Sequence, residues 1–335
     1  MEAPAPLVPG RHISRKPLVW AAVIYCLLLV AFWFAALYFD IPARIHGHLP
    51  SSFVAFALLL APYWFFGFGL AEWLRTAIEN RFLRIALPGS LVIPYLDFSL
   101  ARSEFRWLYA VALFGIPVFA AALFELTPPA SKDKFCWQDF VLLWIFFLPI
   151  EFGLLGEAFP YSGLSVMPKF LLVDAALYAY LVVRGLERVG YDFRVRWRDL
   201  GIGVRECAFY APIVISLGIW LRFLHPHRGV PSVAKVFGAL LITFIFVAIP
   251  EELFFRGLLQ NLLKSRIGHP LSLFVAAVLF GLSHFNKPGP FNWRYVLLGS
   301  IAGIFYGRAW RDRRRILSSA TTHTLVDVIW SLWFR

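Results

Sequence analysis

The sequence predicts an all-α fold, a polytopic transmembrane helical bundle of about 8–10 spans. Hydrophobic residues make up 60% of the 335 positions and charged residues only 16%, against roughly 45–50% and about 25% in an ordinary soluble domain. The mean hydropathy is +0.69. The apolar residues also come in solid blocks, several approaching the roughly 20 residues that cross a bilayer. A β-barrel would show short alternating segments instead, so it is excluded.

The blocks that read as spans are Leu18–Phe39, Phe53–Trp73, Trp107–Leu126, Phe140–Gly156, Phe170–Leu186 and Ala208–Leu224. They continue with Val233–Phe255, Pro270–Phe285, Tyr295–Trp310 and Ile316–Trp333. The polar N-terminus enters the first block without a small-residue cleavage site, so that block is expected to stay as a helix and not to be a removable signal. Ile85–Leu96 is short and broken by Pro88, Gly89 and Pro94, which suits an interfacial or re-entrant piece better than a span.

A net charge of +12 invites a nucleic-acid partner. The basic residues instead sit in short clusters between apolar blocks: Arg11, Arg15 and Lys16, then Arg184 to Arg205, then Arg308 to Arg315. That is the positive-inside pattern of cytoplasmic loops, and the partner it implies is the lipid bilayer, not nucleic acid. By the same rule the N-terminus, Arg75–Arg106, Glu187–Arg205, Lys264–Arg266 and Arg308–Arg315 all belong on the cytoplasmic side. One conflict follows. The spans between Arg106 and Glu187 would put the most basic loop outside unless one of them fails to cross or Ile85–Leu96 does cross. Phe140–Gly156, interrupted by Pro149 and Glu151, is the weakest of them. Three cysteines, Cys26, Cys136 and Cys207, lie far apart without CxxC spacing, so neither a disulfide framework nor a thiolate metal site is indicated.

Charge also divides the chain. Residues 1–186 form an N-terminal transmembrane region of unknown role, with isolated intramembrane charges at Glu72, Glu151 and Asp174. Residues 187–207 form a basic cytoplasmic connector, and residues 208–335 carry every polar constellation. No internal repeat relates the halves.

The first constellation is Ile249-Pro250-Glu251-Glu252-Leu253-Phe254-Phe255-Arg256, at the end of the apolar run from Val233 to Ala248. On a helix Glu252 and Arg256 are i and i+4 and form an ion pair on one face. Glu251 points about 100° away and is free for another task. Each charge near the bilayer centre costs roughly 2.5–3.5 kcal/mol on insertion scales. Pro250 ending a helix above a solvated loop is the bland alternative, and the apolar residues that follow speak against it. In the second, His284 closes an apolar run one turn after Phe280, where a histidine alone is more often a cap. In the third, His323 and Asp327 are i and i+4 on the last block, so that imidazole and carboxyl address one small volume; a structural pair is the alternative. Gly299, Gly303 and Gly307 recur every four residues between the two histidine motifs and let helices approach closely. A carboxylate base that activates water, beside donors that stabilise an oxyanion, is a hydrolase constellation.

Glu251-Glu252-Leu-Phe-Phe-Arg256, Phe280-Gly-Leu-Ser-His284 and His323-Thr-Leu-Val-Asp327 resemble the three motifs of the CAAX prenyl protease 2 family, written EExxxR, FxxxH and Hxxx(N or D). Its bacterial relatives are the CPBP, or bacteriocin-processing-type, intramembrane proteases. The resemblance covers about Ala208 to Phe334. It implies intramembrane endoproteolysis of a membrane-associated or lipidated peptide or protein, with Glu251 as water-activating base and His284 holding the water. His323 and Asp327 would polarise the scissile carbonyl, while Glu252, Arg256 and Phe280 support the site. The family has been described as metalloproteases, whereas the glutamate mechanism needs no cofactor. The absence of HExxH favours the latter but leaves room for a divalent metal such as zinc, held by Glu, His and His from separate helices. Asp327 stands where eukaryotic members carry Asn. An ionised Asp cannot donate to an oxyanion, so it is expected to orient His323.

Two other functions use the same residues: an ion-coupled transporter relaying protons through them, or an idle member serving as a scaffold. Transporters often show two related halves, and these halves do not match. The compact loops without a retention signal favour a bacterial plasma membrane over the endoplasmic reticulum.

Overall fold

The computed structural model describes residues 16–334 apart from residues 46, 133, 228 and 288. Arg11 and Arg15 lie outside the described residues. The long helices are α1 (Lys16–Tyr38), α2 (Leu49–Phe66), α3 (Arg81–Ala101), α4 (Trp107–Leu126), α5 (Trp137–Glu151) and α6 (residues 167–183). They continue with α7 (Trp197–Trp220), α8 (Val233–Leu282), α9 (Trp293–Arg313) and α10 (Ile316–Trp333). Among the described residues there is no β-strand, only an isolated bridge between Pro226 and Phe334. The chain is a multi-pass helical membrane protein, as its composition predicts. Six of these helices, α1 to α4, α7 and α8, are long and apolar enough to cross a bilayer.

Contacts between loops and helix ends sort the loops onto two faces of the bundle. On one face Arg84 meets Glu125 at 3.4 Å, Arg184 meets Asp139 at 2.6 Å, and Arg266 Nη2 donates to the Phe135 carbonyl at 2.7 Å. On the other, Arg102 donates to the carbonyl of Ile45 at 3.1 Å, Lys287 meets Glu151 at 3.2 Å, and the His227 N–H donates to the Trp333 carbonyl at 2.7 Å. The ends of α3 therefore lie on opposite faces.

This corrects the expectation for Ile85–Leu96. The segment is the middle of a continuous 21-residue helix, α3. Pro88 is the second residue of a 3₁₀ stretch, Leu87–Val92, and Pro94 the second residue of the α-helical stretch that follows, Ile93–Ala101. Each proline thus sits at the start of a segment, where its missing N–H costs no helical hydrogen bond. With α3 crossing, the loop Arg75–Arg106 no longer lies on one side, and every later loop alternates. The conflict in the charge pattern disappears.

The helix α8 holds 50 residues, about 75 Å at 1.5 Å per residue, far beyond a hydrocarbon core of ~30 Å. It is two crossings joined at Gly268, whose φ of 72° and ψ of 175° break the helical path. Two π-helical stretches, Phe244–Ala248 and Leu253–Gln260, flank the short α-helical turn Ile249–Glu252. A proline inside a regular helix clashes with the carbonyl four residues earlier, and the π register just ahead of Pro250 accommodates it. The helix therefore continues through Glu251 and Glu252 where the bland reading ended it.

The second crossing of α8 packs on α9 through the glycine repeat. A Cβ at Gly303 would lie 2.8 Å from Cα of Ala277, and one at Gly299 would lie 3.3 Å from Cα of Gly281. Side chains there would push the helices apart.

The connector after α6 is a packed strap. Tyr191 donates to the carbonyl of Tyr63 at 2.9 Å and Trp310 to that of Val189 at 3.1 Å. Gly190, at φ 80°, abuts Arg314, and its carbonyl accepts from the Ile316 N–H at 3.0 Å. Arg315 meets Asp192 at 2.5 Å and Asp199 at 2.7 Å. Partial burial pushes the Asp192 carboxyl up, but the hydrogen bonds from Arg194 and Arg315 outweigh it and hold the group below its ordinary pKa.

Candidate active site

Glu252 is the centre of the polar cluster. It is fully buried, and Oε1 accepts from Arg256 Nη1 at 2.9 Å and from His323 Nδ1 at 2.8 Å. The Ser319 hydroxyl donates to Oε2. A carboxylate taken from water demands this many partners, because unpaired burial costs several kcal/mol. Arg256, also fully buried, spends its second nitrogen on the carbonyl of Gly303 at 3.1 Å. Its guanidinium lies 4.7 Å from the Phe280 ring centroid and 5.3 Å from that of Tyr306. The glycine repeat and the ion pair thus belong to one construction: without a side chain at 303, α9 comes near enough for its carbonyl to receive Arg256.

With Nδ1–H given to Glu252, His323 turns Nε2 toward two other carboxylates. Asp327 Oδ2 is 3.4 Å away and Glu251 Oε2 is 3.9 Å away. Tyr306 stacks on the imidazole at 4.6 Å with an interplanar angle of 16°, and Phe280 meets it edge-on at 5.6 Å. The ring therefore cannot swing without displacing aromatic neighbours. Asp327 was expected to orient His323; it faces Nε2, and Glu252 holds the orienting position at Nδ1.

His284 follows the end of α8. Its Nδ1 donates to the carbonyl of Phe280 at 2.9 Å, which fixes the tautomer and leaves Nε2 as an acceptor. Tyr295 packs on the ring at 4.4 Å and Phe280 at 5.0 Å. One cavity, about 70 Å³ and lined by His284, Tyr295, Tyr306, His323 and Asp327, has room for roughly two waters. Glu251 lines a second cavity of similar size, with Lys169 and Lys287. The Glu251–His323 approach joins them. So the structure brings Glu251 and Asp327 to the Nε2 of His323, while His284 lines the same cavity as His323 and Asp327 and packs on the Phe280 ring that also meets His323.

Sequence reasoning missed several participants. Lys169 of α6 reaches Glu251 Oε1 at 3.4 Å, and Lys287 pairs with Glu151 on the same cavity. A lysine directly before an apolar block was the available signal for Lys169. Ser319 and Tyr306 carried none, since a serine or tyrosine in a transmembrane helix has many ordinary uses. Among the described residues no group of three or more His, Cys, Asp or Glu is arranged to hold a metal ion.

Residues 233–329 match the family model described as Rce1-like, type II CAAX prenyl endopeptidase Rce1-like. The matched stretch contains all three motifs, from Glu251 to Asp327. No curated protein and no solved structure matches the chain.

Proposed function

We propose that this chain, which carries an Rce1-like type II CAAX prenyl endopeptidase domain across residues 233–329, is an intramembrane endopeptidase that uses a glutamate as its base. The observation that carries the reading is the approach of Glu251 to His323 Nε2 at 3.9 Å, between two small cavities and inside the matched stretch.

In the proposed reaction a water between Glu251 and His284 gives its proton to the Glu251 carboxylate as its oxygen attacks the scissile carbonyl. His284 Nε2 accepts the water's other hydrogen and aims the lone pair. The carbonyl oxygen becomes an oxyanion near His323. In its protonated form His323 has an N–H at Nε2 to give, while Nδ1–H stays with Glu252. Collapse of the tetrahedral intermediate breaks the C–N bond, and Glu251 returns its proton to the leaving amine. Asp327 balances charge on the imidazolium from the cavity side. Aromatic walls, with Tyr295 and Tyr306 among them, suit an apolar substrate that arrives through the bilayer.

The test is cleavage of an internally quenched peptide ending in a farnesylated cysteine and three further residues, by purified protein in lipid nanodiscs. Cleavage by the wild type and its loss in Glu251→Gln are expected. A folded Glu251→Gln protein that cleaves at the wild-type rate would overturn the mechanism. An unprenylated peptide in parallel reads whether the lipid is required.

A further inference from the structure

The cavity beside Glu251 holds two ion pairs, and both join the N-terminal half to the C-terminal half. Lys169, from α6, meets Glu251 of α8 at 3.4 Å. Lys287, after α8, meets Glu151 at the end of α5 at 3.2 Å. Each half thus supplies one cation and one anion to a single cavity.

Lys169 has an unusual place for a lysine. Within Met167–Leu177 every other residue is buried among apolar neighbours, and Lys169 alone is partly exposed, on the cleft side. Lys169 sits in the first turn of α6 with buried residues on both sides, and an ionisable group so placed in a membrane protein marks function by default. Stability does not account for it, because a pair whose side chains are 23% and 27% exposed contributes little to folding. The remaining distinction of this pair is that its anion is Glu251.

We infer that Lys169 is a positioning residue that holds the Glu251 carboxylate as an anion at the mouth of the cavity, so that the N-terminal half is a working part of the site. The inference rests on the role of Glu251 proposed above. Several other groups face Glu251: His323 and Asp327 from α10, His284 and Lys287 from the segment after α8, Glu151 from α5, and Glu252 and Arg256 on its own helix. Of the cations, Lys169 makes the nearer approach, 3.4 Å against 3.9 Å for His323 Nε2. An ammonium within 4 Å stabilises a carboxylate against protonation, and removing it moves the titration upward by about one to three pH units.

The experiment reads Glu251 directly. The carboxyl stretch of protonated Glu251, isolated as the infrared difference between wild type and Glu251→Gln, is titrated in nanodiscs. In Lys169→Met this band should appear at a pH about one to three units higher, and Lys169→Arg should restore it. The acid limb of the cleavage profile for the farnesylated peptide should move by the same amount, through kcat and not KM. Lys287→Met, one ion pair removed, should shift both readouts less. An unchanged infrared titration in Lys169→Met overturns the inference, as does an equal or larger shift in Lys287→Met. If Lys169→Met does not fold, Lys169→Gln carries the same test; if neither folds, the pair is a folding device and the inference is wrong. Failure of the wild type to cleave the peptide defeats the proposed function and leaves the infrared result standing.

Discussion

His323 Nδ1 lies 2.8 Å from Glu252 Oε1, and the same carboxylate oxygen accepts from Arg256 at 2.9 Å. Glu252 is thus both counter-ion and orienting group. Glu252→Gln keeps the shape but leaves Arg256 buried with no anion. Breaking a buried pair from one side costs about 3–5 kcal/mol, so the variant should unfold at markedly lower denaturant and lose cleavage together. Glu252→Gln combined with Arg256→Met should recover part of the stability without the activity. A double-mutant cycle in denaturant titrations measures the recovered part.

The neighbouring glutamate should behave in the opposite way. Glu251 is partly exposed, and among the described residues its ion-pair partners are Lys169 and His323, so Glu251→Gln should leave stability nearly unchanged. Loss of a general base lowers the rate by about 10²–10⁴-fold. Asp327→Asn removes a charge at His323 Nε2 but keeps a polar group that can donate to an oxyanion, so it should retain much of the activity. Steady-state kcat/KM with melting curves on the same preparations checks both. An Asp327→Asn protein as inactive as Glu251→Gln would instead make the Asp327 charge essential.

The helical class, the adjacent glutamates and both histidine motifs were legible in the sequence because an isolated charge in a long apolar run has few innocent explanations. Four things were not. The helix α7 starts at Trp197 and not near Ala208, because Asp199 and Glu206 look like solvated loop residues until Arg315, Arg205 and Arg308 neutralise them inside the bundle. Pro88, Gly89 and Pro94 mimic a broken span, since proline spacing alone does not say whether a 3₁₀ stretch will absorb them. Lys169 contacts a partner 82 positions away, a relation no local pattern encodes. That Glu252 pairs with Arg256 while Glu251 points elsewhere was readable from the 100° step of the helix; the choice of Glu252 as partner to His323 was not.

Packing of the glycine repeat gives a graded prediction. A methyl at Gly303 would meet the Ala277 backbone at 2.8 Å and its Cβ at 3.0 Å, with no flexible atom to yield. It would also displace the carbonyl that receives Arg256. Gly303→Ala should therefore cost about 1–3 kcal/mol and reduce activity through Arg256. Gly299→Ala, with 3.3 Å to Gly281, should cost less. Gly115→Ala in α4, with nothing within 4 Å, should be neutral or slightly stabilising, since alanine is the better helix former. Denaturant midpoints should rank the variants in that order, and equal costs at 303 and 115 would refute the close approach of α8 and α9.

The strap between the halves should be sensitive to acid. Asp192 has a folded-state pKa below its ordinary value because Arg194 and Arg315 outweigh its burial. A depressed carboxyl contributes stability that is fully present above the unfolded pKa, near 3.9, and is lost as pH falls through the lower folded value. Asp192→Asn should therefore destabilise the protein at neutral pH, by about 1–3 kcal/mol for charge-assisted hydrogen bonds. Once the pH has fallen below that lowered folded value the wild type is protonated at Asp192 as well, and the difference between the two proteins should vanish. Unfolding midpoints of both proteins across that range test the latch, and a difference that persists undiminished at low pH would mean the Asp192 charge is not what fastens the strap to Arg315.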